Sequence, residues 1–230
     1  MAELSGPPIP KHSSSSRKLV RGSTLLLAGR LIAKFGNFLT QILIVRYLTK
    51  GDYGAFGYAM SIVLFVQAVV TLGLDRSITR FLPIYHERGD HRRLFATLAM
   101  AVTVIGSLSV LAVLALFAGA PIVQERIKDP LALTLLYLLI LLAPLQALDD
   151  LLIGVFAVFA KPRAIFFRRH VLAPALKFLV VLALVLTRSD VIYLAIGYVF
   201  ATLIGLAIYG FQLVGVFREQ GLMNGDAFRR

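Results

Sequence analysis

The sequence predicts an all-α integral membrane protein built as a six-transmembrane-helix bundle, and three observations carry that expectation. Hydrophobic residues make up 58% of the 230 residues and charged ones only 16%, a balance that water-soluble domains of this size do not show. Mean hydropathy is +0.82. The apolar residues gather in continuous runs of about 20, the length a helix rising about 1.5 Å per residue needs to cross hydrocarbon. Strands of a membrane barrel would instead be about ten residues long and alternate apolar with polar.

Six spans follow along the chain, at residues 23–48, 54–74, 94–118, 131–159, 164–186 and 191–217, so the transmembrane bundle is expected over 23–217. Ahead of it, residues 1–22 hold Pro7, Pro8, Pro10, the serine run Ser13 to Ser16 and four cations, and read as a disordered basic tail. The first apolar run is too long for a secretory signal and lacks a small-residue cleavage site, so it is read as a retained anchor. The stretch from Arg76 to Arg93 reads as a basic loop. Within the fourth span Pro144 removes a backbone donor and breaks or kinks the helix shortly before Asp149 and Asp150. Gly51, Gly54 and Gly57 around the first outer turn, and Gly197, Gly205 and Gly210 in the sixth span, read as sites of close helix packing. Gln67 and Thr71 are four apart in the second span and read first as an interhelical hydrogen bond. Residues 218–230 form a second tail.

Charge sets the orientation. Sixteen of the 24 Lys and Arg residues fall in the two tails, in the Arg76 to Arg93 stretch and in Lys161 to Arg169, which all belong to one side of a six-span chain. Positive residues are retained on the cytoplasmic side, so both termini are expected in the cytoplasm at the inner (plasma) membrane. The net charge of +12 is then a matter of topology and of contact with anionic lipid, and nucleic-acid binding is not expected.

The cations inside the spans are Arg30, Lys34 and Lys177. Arg30, Lys34, Asn37 and Gln41 recur at the spacing of one helical face. A charge at membrane depth costs roughly 2.5 to 3.5 kcal/mol even on insertion scales, so such a stripe normally faces a bundle interior or a wet cavity. With about 1.5 Å per residue, Arg30 and Lys34 lie roughly 10 and 16 Å from the cytoplasmic end, level with Asp149 and Asp150 of the inward-running fourth span. These five charges predict a polar site in which the carboxylates act as counter-charges or as proton or cation sites. A structural pairing that merely lets the bundle insert is the competing reading. Three cations against two carboxylates favour an anionic substrate.

Enzyme chemistry finds little in the sequence. His12, His86, His91 and His170 are scattered over the tail, the basic stretch and the start of the fifth span, and offer neither metal ligands nor a general base. There is no phosphate-cradling Gly-Lys-Ser/Thr loop and no nucleophile elbow. Adjacent Asp149 and Asp150 point about 100° apart on a helix, a poor geometry for paired-carboxylate catalysis. With no cysteine, disulfides and thiolate metal sites are excluded. No cofactor and no metal are expected.

Two further stretches carry a resemblance: RYLTKGDYGAFGYAMSI from Arg46 and TLGLDRSITRFLPIYHERGD from Thr71. The order of a Leu48-x-x-x-x-Tyr53-Gly54 turn, a Gly73-Leu74-Asp75 closing the second span, then Arg80-Phe81-Leu82-Pro83 and Gly89-Asp90, resembles the amino-terminal half of polysaccharide biosynthesis flippases. These are the O-antigen and teichoic-acid exporters of the multidrug/oligosaccharidyl-lipid/polysaccharide superfamily. The resemblance implies one half of a twelve-to-fourteen-helix fold around a central cavity, which moves a polyprenyl-pyrophosphate-linked oligosaccharide between leaflets by alternating access. It implies cavity cations, for which Arg30 and Lys34 are the best-matching positions here. It also implies a second half, so the expectation is a fragment, a split product pairing with a second chain, or a half-transporter that dimerises.

Three functions remain open at this point. One is flipping of a lipid-linked oligosaccharide in cell-surface polysaccharide biosynthesis, with Arg30, Lys34, Asn37, Gln41 and Lys177 as substrate-binding residues. A second is cation-coupled export of drugs or metabolites, with Asp149 and Asp150 essential. The third is a non-transporting membrane scaffold or remnant.

Overall fold

A computed structural model describes residues 13–158 and 171–219. Helix α1 covers Ser13–Tyr47, α2 Lys50–Thr71, α3 Leu74–Glu87, α4 His91–Ala118, α5 Ala120–Arg126, α6 Pro130–Leu139, α7 Leu142–Val158, α8 Ala173–Thr187 and α9 Val191–Glu219. The described residues contain no strand.

Four stretches are long and apolar enough to cross a membrane: Lys50–Thr71, Arg92–Ala118, Pro130–Phe156 and Val191–Gly215. They correspond to the second, third, fourth and sixth expected spans. The fifth is represented by the shorter apolar helix α8, because residues 159–170, with the beginning of that span and its basic cluster, lie outside the described residues. At 35 residues α1 has the length to span, but Arg30, Lys34, Asn37 and Gln41 dilute its apolar character. It also begins at Ser13, earlier than the expected boundary, since Arg17, Lys18 and Leu19 are good helix formers. The rest of that tail, and all but Arg218 and Glu219 of the carboxyl-terminal one, fall outside the described residues.

The stretch from Arg76 to Arg93 is not a loop. It contains α3, whose Ile78 and Leu82 lie one turn apart and are buried against α4 and α7, while Thr79, Arg80 and Glu87 stay exposed. A short helix with apolar residues on one face and charges on the other averages to a polar segment, which is why hydropathy alone reads it as loop. Leu72 and Gly73, with φ of 44° and 72°, turn the chain from α2 into α3. Asp90 caps α4, its carboxylate accepting from the Arg93 amide at 3.0 Å.

Pro144 acts as expected. It has no N–H to give the Ile140 carbonyl, and the fourth span breaks at Ile140 and Leu141, between α6 and α7, with the Ala143 amide bonding Ile140 O at 3.1 Å instead. Of the glycines, Gly197 permits a close approach: a Cβ there would fall 2.3 Å from Val180 Cγ1 of α8. Gly54, Gly57 and Gly210 have nothing within 4 Å of such a Cβ, so close packing does not explain them.

The apolar core is divided in two. One cluster joins Phe56, Ala59 and Val63 of α2 with Leu135 and Leu139 of α6, Val181 and Leu184 of α8, and Leu194 and Tyr198 of α9. The other joins Val70, Ile78, Leu82, Leu94 and Ile105 with Leu151, Val155 and Phe156 of α7 and Tyr209 of α9. Phe156 and Tyr209 stack at 4.3 Å between ring centroids.

Candidate functional site

Several polar residues of the spans sit at or close to the boundary of these two clusters. On α2, Gln67 falls between Val63 and Val70; on α7, Gln146, Asp149 and Asp150 follow Ala143; on α9, Thr202 follows Tyr198 and precedes Tyr209. On α7 only Gln146 lies between the clusters, since Ala147 and Leu151 of the second one flank Asp149 and Asp150.

Gln67 donates from Nε2 to Asp150 Oδ2 at 3.0 Å, tying α2 to α7. The interhelical bond expected of Gln67 is therefore present, with a carboxylate as its acceptor. Thr71 Oγ1 bonds back to the Gln67 carbonyl of its own helix. On the other side of α7, Gln146 and Asp149 line a cavity of about 70 Å³ together with Ala173 and Lys177 of α8 and Ala201 and Thr202 of α9. Asp149 and Asp150 face different neighbours, as their helical offset dictates. The Lys177 ammonium lies 5.7 Å from the centroid of the Tyr198 ring, and that ring meets Phe56 edge-on at 5.7 Å. Thr202 Oγ1 donates to the Tyr198 carbonyl at 2.8 Å, so its oxygen retains acceptor capacity toward the cavity.

The α1 stripe lies elsewhere. Arg30, Lys34, Asn37 and Gln41 are all exposed, whereas Ala33, Thr40 and Ile44 on the neighbouring face are buried against the bundle. Beyond the stripe run Leu31, Phe35, Phe38 and Ile42, all large, apolar and exposed. The stripe is thus a polar border between the packed side of α1 and its apolar outer side. Gln41 Nε2 donates to Tyr53 Oη at 2.7 Å, fixing the upper end of the stripe to α2. Nearby, Phe38, Gln41, Ile42, Val45 and Arg46 line a wide open depression of about 450 Å³.

Of the expected site residues, the structure brings Lys177 and Asp149 together around one cavity and joins Asp150 to Gln67. It does not bring the α1 stripe to that cavity. Thr202 and Tyr198 complete the site and were not singled out by sequence; a hydroxyl one turn after a tyrosine, on an otherwise apolar helix, was the available signal. No group of three or more His, Cys, Asp or Glu gathers as metal ligands among the described residues.

Long apolar helices packed around an internal layer of carboxylates, amides and an ammonium define a multi-pass membrane protein. A family model described as polysaccharide biosynthesis protein matches residues 19–226, nearly the whole chain, and the protein belongs to that family. The expected resemblance is thereby shown. Among curated proteins the chain is similar to stage V sporulation protein B of Bacillus subtilis (strain 168), with 22% identity over 143 residues, or 62% of this chain. The matched region spans 28% of that relative's length. No solved structure matches.

Proposed function

We propose that the protein takes part in flipping a polyprenyl-pyrophosphate-linked oligosaccharide across the membrane for cell-surface polysaccharide biosynthesis, with Arg30, Lys34, Asn37 and Gln41 meeting the anionic headgroup. Membership of a polysaccharide-biosynthesis family supports a glycan-bearing cargo. The observation that carries the role of the stripe is its exposure beside a wholly apolar surface. Each cation there costs roughly 2.5 to 3.5 kcal/mol at membrane depth, and an anionic ligand offsets that cost.

In this reading α1 and α8 complete a six-helix bundle with the four long spans. That bundle is one half of a twelve-to-fourteen-helix flippase, and the stripe faces the second half. The sixteen cations grouped on one side support cytoplasmic termini and a plasma-membrane location.

The test is export of a fluorescent polyprenyl-pyrophosphate glycan in proteoliposomes holding the complete transporter. Arg30→Gln with Lys34→Gln lowers the initial rate by about tenfold or more, the effect of losing roughly 1.4 kcal/mol or more of interaction with the moving anion, and a thermal melt of the same variant checks that it is folded. An unchanged rate would remove the stripe from the transport path. Cation-coupled export of drugs or metabolites, the second reading, predicts the opposite pattern: neutral stripe variants active, Asp150→Asn inactive.

A further inference from the structure

The cavity between α7, α8 and α9 is separate from the α1 stripe, and the flipping proposal does not use it. We propose that it is an oxygen-lined site for a monovalent cation which the chain fills with its own ammonium, that of Lys177.

Four features of the cavity support this. Its polar walls offer a carboxylate from Asp149, an amide from Gln146 and a hydroxyl from Thr202, and oxygen donors of this kind are what hard cations bind. Its size of about 70 Å³ is room for a few waters, which suits an ammonium group or a partly dehydrated alkali ion. The Tyr198 ring, 5.7 Å from Lys177 Nζ, presents the electron-rich surface that attracts cations. Formal charge completes the case. Asp150 contributes no charge to this lining, being bonded to Gln67 on the other side of α7, so among the described residues the charges lining the cavity are one carboxylate and one ammonium.

A carboxylate inside a bundle is expensive unless a cation is at hand. Lys177 supplies that cation on a tether, so at this site the protein needs none from solution. If the tether is cut, the same oxygens and the same negative charge remain, and a small alkali ion becomes the least costly replacement. Lys177 is then a positioning residue that holds α7, α8 and α9 together, and its function here does not depend on which cargo the protein moves.

The experiment compares thermal unfolding of the purified full chain by calorimetry in chloride salts of sodium, potassium, lithium or choline at equal ionic strength. Lys177→Met keeps the packing of the stem, and Lys177→Ala leaves room for a hydrated ion; both are made. In at least one alkali salt one of these variants melts about 5 °C or more above its value in choline, as a ligand bound well above its Kd requires for a chain of this size. The parent protein shifts by less than about 1 °C, since its site is filled. Adding Asp149→Asn to either variant abolishes the salt effect. An equal alkali response in the parent protein overturns the proposal, as does the lack of any response in both Lys177 variants or their failure to fold in every alkali salt. Persistence of the effect after Asp149→Asn overturns it too. None of these readouts involves flipping, so this inference and the flippase reading fail separately.

Discussion

Gly197→Ala is the substitution whose consequence can be worked most directly. The added Cβ would lie 2.3 Å from Val180 Cγ1, 3.3 Å from Cγ2 and 3.4 Å from Cβ. Val180 cannot swing aside, because a β-branched side chain in a helix has essentially one rotamer. Helices α8 and α9 must therefore separate, at the about 1–3 kcal/mol typical of forcing a methyl into a packed interior. Against this, alanine is about 1 kcal/mol better than glycine within a helix. Gly210→Ala provides the control: it lies in the same helix and its Cβ would meet nothing within 4 Å. The backbone gain cancels between the two variants, and the contact alone leaves Gly197→Ala about 1–3 kcal/mol the less stable. At about 2–4 °C per kcal/mol for a chain of this size, thermal melts in micelles followed by circular dichroism separate them by several degrees. Val180→Ala in the Gly197→Ala background restores most of the loss. If Gly197→Ala melts at or above Gly210→Ala, the close approach of α8 and α9 is wrong, and with it the placement of the Lys177 ammonium over the ring of neighbouring Tyr198.

Other outcomes are equally definite. Gln67→Leu removes the donor to Asp150 and costs about 1.5–3 kcal/mol, the range for a hydrogen bond to a charged group, while Gln67→Leu with Asp150→Leu recovers part of it in a melting cycle. Asp90→Ala removes the cap of α4 and destabilises by about 1 kcal/mol. Arg93→Ala costs much less, since the Arg93 side chain, whose Nε lies 3.2 Å from Asp90 Oδ2, is 69% exposed. Because the chain has no cysteine of its own, Lys128→Cys and Arg88→Cys report topology without background. A membrane-impermeant maleimide labels the first in intact cells and the second only after permeabilisation, and the reverse pattern would invert the orientation.

How far the sequence revealed the protein depended on whether the signal was local. Apolar runs mark α2, α4, α9 and the α6–α7 pair because span length is set by the bilayer. Pro144 marks the break between α6 and α7 because the missing donor belongs to that residue itself. Helix α3 was hidden, since Ile78 and Leu82 are too few to outweigh Arg76, Arg80 and Arg88 in any average along the chain. Depth counting placed Arg30 and Lys34 level with the two aspartates, and level is all that counting residues can give. It carries no azimuth between helices, so it could not separate Lys177, turned with Asp149 to the interior, from Arg30 and Lys34, turned outward. Gln67 was recognised as a bonding residue, but its partner is 83 positions away, beyond any periodicity.

The division of the core into two clusters has a mechanical consequence. Interlocked apolar side chains resist sliding because each knob must leave its hole before it finds another, and a vacated hole in a dry interior is costly. Amides and carboxylates behave differently: a buried polar group that leaves its partner carries its full desolvation cost, so Gln67 and Asp150 move together or not at all. The Gln67–Asp150 bond therefore ties α2 to α7 beside stretches that apolar packing already holds, and adds a directional lock to a non-directional one.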